Sequence, residues 1–193
     1  MSALSRSILI RCALGVLVAI GCHELTFAGE ADTVSATASV WRLSYRIPRD
    51  WVADRDTAAR MNLSTLLVPE GQTYQTASAI ITVAYQEKRP ELPLPSTLEE
   101  FFMAEMAPLL RMFPDLESRS WRPESVDSTD LDYAGLEVFG DIPRKLRIVM
   151  VDAGDGFYSV HAQVGFLGDL DRDDLNGFFD SLLFLPKPPR AGS

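Results

Sequence analysis

The sequence predicts an α+β domain, in which an antiparallel sheet of about six to seven strands is packed by two main helices. Short stretches of alternating or β-branched apolar residues recur along the chain and are separated by turn sequences. Two other stretches repeat apolar residues every three or four positions, the spacing of a helix with one buried face. Strands that follow one another through short turns form antiparallel sheets, and the helices then pack on a face of the sheet.

The strand predictions rest on alternation, β-branched residues and turns. Pro48 ends the first strand, and the turn sequence Pro69-Glu70-Gly71 closes the second. The last two strands are joined by residues 152–156, an Asp- and Gly-rich sequence typical of a tight turn. In chain order, the predicted strands are residues 43–47, 63–68, 79–86, 117–123, 134–140, 145–151 and 157–164.

The first predicted helix lies between the third and fourth strands. Ser96 and Glu99 have the spacing of a capping box, in which both side chains satisfy backbone N–H groups at a helix start. Pro108 is expected to kink or restart the helix because it lacks an N–H group. The apolar stripe that faces the core comprises Leu98, Phe101, Phe102, Met106, Leu109, Leu110 and Phe113.

The second predicted helix closes the domain. It starts within residues 171–174, where acidic side chains suit the positive end of a helix dipole, and it ends before Pro186. Its predicted buried residues are Leu175, Phe178, Phe179, Leu182 and Leu183.

The N-terminus has the three zones of a secretory signal. Residues 1–11 carry two arginines and no acid, residues 12–21 are uninterrupted apolar, and small residues precede a cleavage position after Ala28. A bilayer span needs about 20 apolar residues, so this run is too short for one. Residues 1–28 are therefore predicted to be a signal peptide, and the mature protein is expected to be periplasmic or secreted.

A lipid anchor is the alternative for this segment. Residues 19–22 resemble the lipobox of bacterial lipoproteins, in which the cysteine is lipidated and becomes the mature N-terminus. Gly21 fits that pattern, whereas Ala19 stands where Leu is usual. Lipidation of Cys22 is thus the alternative to cleavage after Ala28, and it would make the protein a membrane-anchored lipoprotein.

The remaining chain is predicted to hold one domain. Residues 29–39 are small and polar and indicate a flexible leader, residues 40–186 form the α+β domain, and residues 187–193 indicate a disordered tail. The net charge of −9 argues against nucleic acid as a partner, because phosphate binding needs clustered Lys and Arg. Both cysteines lie within residues 1–28, which excludes a disulfide or thiol chemistry in the domain.

One histidine, His161, lies in the predicted domain. A zinc site usually needs several Cys or His ligands, and no G-x-S-x-G turn presents a nucleophile for a triad. We therefore interpret His161 as a half-exposed strand residue and predict no catalytic residue and no cofactor. A hydrolase would require Ser or Asp within hydrogen-bond reach of His161.

The acidic run near the last helix is the one candidate metal site. Its spacing is that of the first ligands of a calcium loop, but Asp174 stands where the sharp turn requires Gly. The alternative interpretation is that these acids cap the last helix. The candidate calcium ligands are Asp169, Asp171, Asp173 and Asp180.

Three tryptophans, Trp41, Trp51 and Trp121, are candidates for a binding groove, but we interpret them as core residues.

The order of the predicted elements and four features of the sequence resemble those of the Mog1/PsbP-like fold and of small exported bacterial proteins that share it, including DcrB-like lipoproteins. The features are an opening strand that runs into IPRDW at residues 47–51, a long helix after the third strand, GDG at residues 154–156 in the last hairpin, and FFDSLLF at residues 178–184. The resemblance implies a non-enzymatic module that binds another extracytoplasmic protein or assembles in the cell envelope. A small-molecule or Ca²⁺-binding extracytoplasmic protein is the alternative.

Overall fold

A computed structural model of the chain describes residues 33–37, 41–89, 95–123, 131–140, 142–165 and 167–186. The predicted signal peptide, including Cys22 and Ala28, and the predicted tail lie outside the described residues. The strands are β1 (Thr33–Thr37), β2 (Trp41–Arg46), β3 (Trp51–Ala53), β4 (Thr65–Pro69), β5 (Ala79–Glu87), β6 (Glu117–Ser120), β7 (Tyr133–Phe139), β8 (Arg144–Asp152), β9 (Gly156–Gly165) and β10 (Leu183–Pro186). The helices are α1 (Arg55–Arg60), α2 (Leu98–Met112) and α3 (Asp173–Asp180).

The strands form two antiparallel sheets. The large sheet has seven strands in the order β3-β4-β5-β9-β8-β7-β6, and the small sheet has three in the order β1-β2-β10. This confirms the predicted α+β class and the antiparallel sheet. The first predicted strand, however, lies in the small sheet, where it pairs with β1 inside the stretch for which the sequence predicts a leader.

Each face of the large sheet packs on a different helix. On the first face, α3 and the small sheet cover the main core, where the rings of Tyr45 and Phe178 lie 5.3 Å apart. On the second face, α2 packs over β7 and β8, and Phe101 stacks on Phe157 of β9 at 4.6 Å. Among the described residues, no helix has the length and apolar character needed to cross a membrane.

The ends of both predicted helices are corrected by the structure. The capping box of α2 is formed by Thr97 and Glu100, one residue later than predicted, because Thr97 adopts the extended conformation of the N-cap. The helix runs through Pro108 as one element that ends at Met112. Helix α3 ends at Asp180, and the residues that follow form β10 instead of a last helical turn.

Two further short elements, β3 and α1, have no counterpart in the prediction. Strand β3 begins at Trp51, after a turn at residues 49–50, and α1 is capped by Asp54, whose side chain accepts a hydrogen bond from the Thr57 N–H at 3.0 Å. Both are shorter than the stretch over which an apolar period becomes recognisable.

Candidate functional site

One row of residues across the large sheet changes from apolar to charged. Its members lie opposite one another on consecutive strands, so their side chains share the first face of the sheet. From β3 to β6 the row is Ala53, Leu67, Ile81, Ala162, Arg147, Glu137 and Arg119. We call this row the central rung.

A buried ion pair forms the inner part of the charged half of the rung. The side chains of Arg147 and Glu137 are 0% and 1% exposed, and Arg147 Nε donates to Glu137 Oε1 at 2.7 Å. The guanidinium of Arg147 also lies 4.3 Å from the ring centroid of Trp121. Burying two charges is costly, but the close geometry and the cation–π contact offset much of that cost.

The buried pair is linked to groups at the surface. Arg147 donates to Asn176 Oδ1 at 2.6 Å and to Asp171 Oδ1 at 2.8 Å. The second carboxylate oxygen of Glu137 accepts from Arg119, whose side chain is 59% exposed. The hydrogen bond and charge of Glu137 hold the pKa of Arg119 above its ordinary value. The rung therefore ends at the sheet edge in a solvent-exposed cation.

A cavity of about 620 Å³ lies at the end of β6, beside this network. Its size is within the range of ligand-binding pockets. The cavity is lined by three aromatic residues, two charged residues and four others: Phe102, Trp121, Tyr133, Arg122, Asp132, Ser120, Leu131, Ala134 and Gly135.

The position of Trp121 at the cavity is fixed from several sides. Its backbone N–H donates to the Gly135 carbonyl at 3.1 Å, and a Cβ at residue 135 would overlap the Trp121 carbonyl oxygen. Its ring contacts Phe179 edge-on at 5.0 Å and covers Arg147. Residue 135 must therefore be glycine for Trp121 to lie this close to β7.

The described lining residues supply charged and hydroxyl groups as well as aromatic rings. Among them, Asp132 is the one carboxylate, Ser120 and Tyr133 supply hydroxyl groups, and His161 is not included. The Arg122 guanidinium lies 4.9 Å from the Tyr133 ring centroid. The described part of the lining thus combines aromatic surface with one group of each charge, and it contains no histidine that could act as a base for a nucleophile.

His161 is buried, which corrects the prediction of a half-exposed strand residue. It is 6% exposed, it lies opposite Thr82 and Ile148 on the second face of the sheet, and its Nε2 makes no hydrogen bond with a described residue. Burial lowers the pKa of His161 to about 4. The sequence did not reveal this burial because Ser159 and Gln163, on the same face of β9, gave that face a polar appearance although they too are buried.

The candidate calcium ligands engage in other contacts or lie apart along the chain. Asp169 accepts a hydrogen bond from the Asp171 N–H at 3.0 Å, and Asp171 is a partner of Arg147. Asp173 lies in the first turn of α3, and Asp180 is the last residue of that helix. Over the described part of the chain, no group of three or more His, Cys, Asp or Glu side chains is arranged to hold a metal ion.

The acidic residues at the start of α3 interact favourably with the helix dipole but do not cap the helix. The N-cap is Arg172, which makes no side-chain capping bond. Asp174 in the first turn accepts from Trp51 Nε1 at 3.0 Å and from Arg172. Burial opposes ionisation of Asp174, but these hydrogen bonds hold its pKa below the ordinary value.

Sequence reasoning missed Glu137 and Arg147 as parts of a site, and it considered Trp121 for a binding groove but interpreted it as a core residue. Trp51 is a core residue as predicted, and Trp41 packs partly buried against the same core. Trp121 packs against that core too, but it also lines the cavity. A signal did exist, because Glu137 and Arg147 interrupt apolar stretches of two predicted strands.

Comparison with known proteins identifies no family for this chain. No family model matches it, and no curated protein matches it. Among solved structures, the chain is similar to the solution structure of cyanobacterial PsbP (CyanoP) from Synechocystis sp. PCC 6803. The identity is 12%, the TM-score is 0.43, and the match covers 74% of this chain and 86% of that one.

Proposed function

We propose that this chain is a non-catalytic protein-binding module that works outside the cytoplasm. The cavity at the end of β6 carries the proposal, because Trp121, Tyr133 and Arg122 lie together in its lining. Trp, Tyr and Arg are the residue types that contribute most to protein–protein binding energy. Their concentration at a recess beside an edge strand favours a polypeptide segment as the ligand.

The ring of Trp121 is held in position before a partner arrives. It contacts both the guanidinium of Arg147 and the ring of Phe179, and Arg147 is itself fixed by Glu137 and Asn176. A side chain that is already ordered loses little entropy on binding, so more of the contact energy appears as affinity. The buried network therefore supports the binding surface as well as the fold.

The charge of the site favours a basic anchor residue on the partner. Among the described lining residues, Asp132 supplies the one carboxylate, and Leu131 and Trp121 supply apolar surface. A Lys or Arg side chain can place its stem on that apolar surface and its charged group at Asp132. The chain's net charge of −9 also attracts basic segments over a longer range.

The location outside the cytoplasm is supported by the signal-like order of residues 1–28. The test is the intact mass of the mature protein from soluble and membrane fractions of its host. A soluble protein that begins at Gly29 supports a periplasmic or secreted module. A lipidated Cys22 in the membrane fraction replaces it with a membrane-anchored lipoprotein, and an unprocessed chain contradicts export.

The binding proposal is tested by selecting peptides from a random library on the purified protein. We expect selected peptides to share a Lys or Arg, and we expect Trp121→Ala and Asp132→Asn to weaken their binding by at least about tenfold, or 1.4 kcal/mol. Gly177→Ala, a change at an exposed position of α3, is the matched control. Selected peptides that lack a common basic residue, or equal affinity for the Asp132→Asn variant, would contradict the proposal.

A further inference from the structure

Strand β6 forms one edge of the large sheet, and the orientation of its backbone groups follows from one hydrogen bond. The backbone N–H of Trp121, directly after β6, donates to the Gly135 carbonyl of β7 at 3.1 Å and so points into the sheet. Hydrogen-bonded pairs alternate along an antiparallel ladder, so Arg119 and Glu117 also bond inward to β7. The N–H and C=O groups of Ser118 and Ser120 then point away from β7. Within the described residues, β6 pairs only with β7.

The exposed side chains of β6 are complementary to those of a second β6. Glu117 and Arg119 are two residues apart, so they share one face, and both are exposed. If two copies pair antiparallel about Ser118, Glu117 of each copy lies opposite Arg119 of the other. The central rung, which alternates in sign from Arg147 through Glu137 to Arg119, then continues with a carboxylate. Opposite charges at facing positions stabilise an antiparallel pair.

The same register matches the hydrogen-bonding pattern of the backbone. It places Ser118 opposite Ser118 of the other copy, and these are residues whose N–H and C=O groups point outward. Glu117 and Arg119 then occupy non-hydrogen-bonded positions, where facing side chains are closest. One register therefore satisfies both the backbone groups and the charges.

Exposed apolar side chains of α2 lie toward the same edge. Phe101 contacts Phe157 of β9, whereas Phe102 lines the cavity together with Ser120 of β6. Each residue turns the helix by about 100°, so the step from Phe101 to Phe102 turns from β9 toward β6. Continuing the same turn places Met103, and Leu110 seven residues later, on the β6 side of α2. Their exposures are 52% and 40%. In the paired arrangement, these side chains lie on the side of α2 that is nearer to the second copy.

We propose that a second copy of this chain adds to the β6 edge, antiparallel and centred on Ser118, to form one continuous sheet across a two-fold axis. Such an axis requires a self-complementary surface, and the Glu117/Arg119 pair provides it. The contact strand is only four residues long, so the dimer is weak, with a dissociation constant on the order of 10 µM. This interface adjoins the cavity proposed to bind other proteins, since Ser120 of β6 also lines that cavity.

Sedimentation equilibrium of the protein as its host produces it tests the dimer. We expect the wild-type protein to dimerise, and we expect Ser118→Pro to raise the dissociation constant by at least about tenfold because it removes an outward N–H. Ser118→Val keeps that N–H and is the matched control. Glu117→Arg places two cations opposite each other and should weaken the dimer by a similar factor without altering the backbone.

A monomer up to about 1 mM would overturn the proposal, since that concentration is about a hundred times the expected dissociation constant. Equal dimerisation of the wild-type, Ser118→Pro and Glu117→Arg proteins would also overturn it, because association would then use another surface. If the edge instead takes a strand from a different protein, the wild-type chain alone stays monomeric. Peptide binding by Ser118→Pro separates this test from that of the cavity.

Discussion

The two halves of the central rung differ in how they are stabilised. From Leu67 to Ala162 the rung is apolar, and each side chain contributes by being removed from water. From Arg147 to Arg119 it is charged, and the buried members depend on one another's charge. The stability of the charged half therefore depends on a few specific partners, whereas the stability of the apolar half, which runs to the opposite edge at β3, depends on close packing.

The largest expected loss of stability comes from removing one partner of the buried ion pair in the charged half. Glu137→Leu leaves the Arg147 guanidinium buried without its main carboxylate, and we expect a loss of about 3–5 kcal/mol in the free energy of unfolding. In the apolar half, Leu67→Ala should cost about 2–5 kcal/mol by leaving a cavity. Urea unfolding of both variants measures these losses.

A second substitution in the charged half tests whether its two buried charges compensate each other. Adding Arg147→Met to Glu137→Leu removes the unpaired charge and should recover most of the lost stability, as in other buried ion pairs that are replaced by apolar residues. Equal destabilisation by the single and double variants would contradict the interpretation that the two charges compensate each other.

The next largest loss of stability is expected where the backbone of residue 135 approaches Trp121, beside the charged half. Gly135→Ala pushes a Cβ against the Trp121 carbonyl, and we expect a loss of up to about 3 kcal/mol because the backbone of β6 and β7 must separate. Gly177→Ala has open space around its Cβ and should instead stabilise α3 by up to about 1 kcal/mol. Thermal unfolding of both variants should show opposite signs.

A smaller effect, from His161, appears on lowering the pH. This residue neighbours Ala162 of the apolar half but faces the opposite side of the sheet. Its folded pKa of about 4 lies below the unfolded value, so its neutral form favours folding above about pH 6.5. That contribution is lost as the pH falls toward 4, by about 2 kcal/mol between pH 7 and 5.

The His161→Phe variant is the control for this pH dependence. It should lose less stability than the wild-type protein over the same range, because no buried imidazole has to be protonated. Parallel losses in both proteins, measured by urea unfolding at each pH, would contradict the assignment to His161.

The smallest expected effect lies at the outer end of the network. Asp171 is 62% exposed, so Asp171→Asn should cost less than about 1 kcal/mol. Because Asp171 is already paired with Arg147, CaCl₂ at about 1 mM should leave the melting temperature unchanged, although that concentration fills weak calcium sites. A calcium-dependent increase that Asp171→Asn removes would restore the calcium interpretation.

The sequence predicted the elements with a clear period and missed those without one. The alternation and β-branched residues of β5 and β9 and the apolar stripe of α2 were sufficient to predict these elements. Strand β10 was mistaken for helix because Leu182 and Leu183 continue the apolar spacing of α3, while its pairing with β2 depends on residues distant in the chain.

The candidate site was less predictable because it depends on register. Glu137 and Arg147 are opposite only because the β7–β8 pairing places them so, and a shift of one residue would move both to other partners. The cavity likewise needs Phe102 of α2 to meet residues beside β6 and β7. Local periodicity fixes which residues share a face, but not which strands are neighbours.

The most direct test of this account is one variant examined in two ways. In the Glu137→Leu/Arg147→Met protein, Arg119 loses the β7 carboxylate that fixes the position of its guanidinium. We expect the free energy of unfolding to stay within about 1 kcal/mol of wild type, because the two buried charges are removed together. We also expect the dimer dissociation constant to rise at least about tenfold, because Arg119 is no longer held in place. A loss of about 3 kcal/mol or more with unchanged dimerisation would contradict the account.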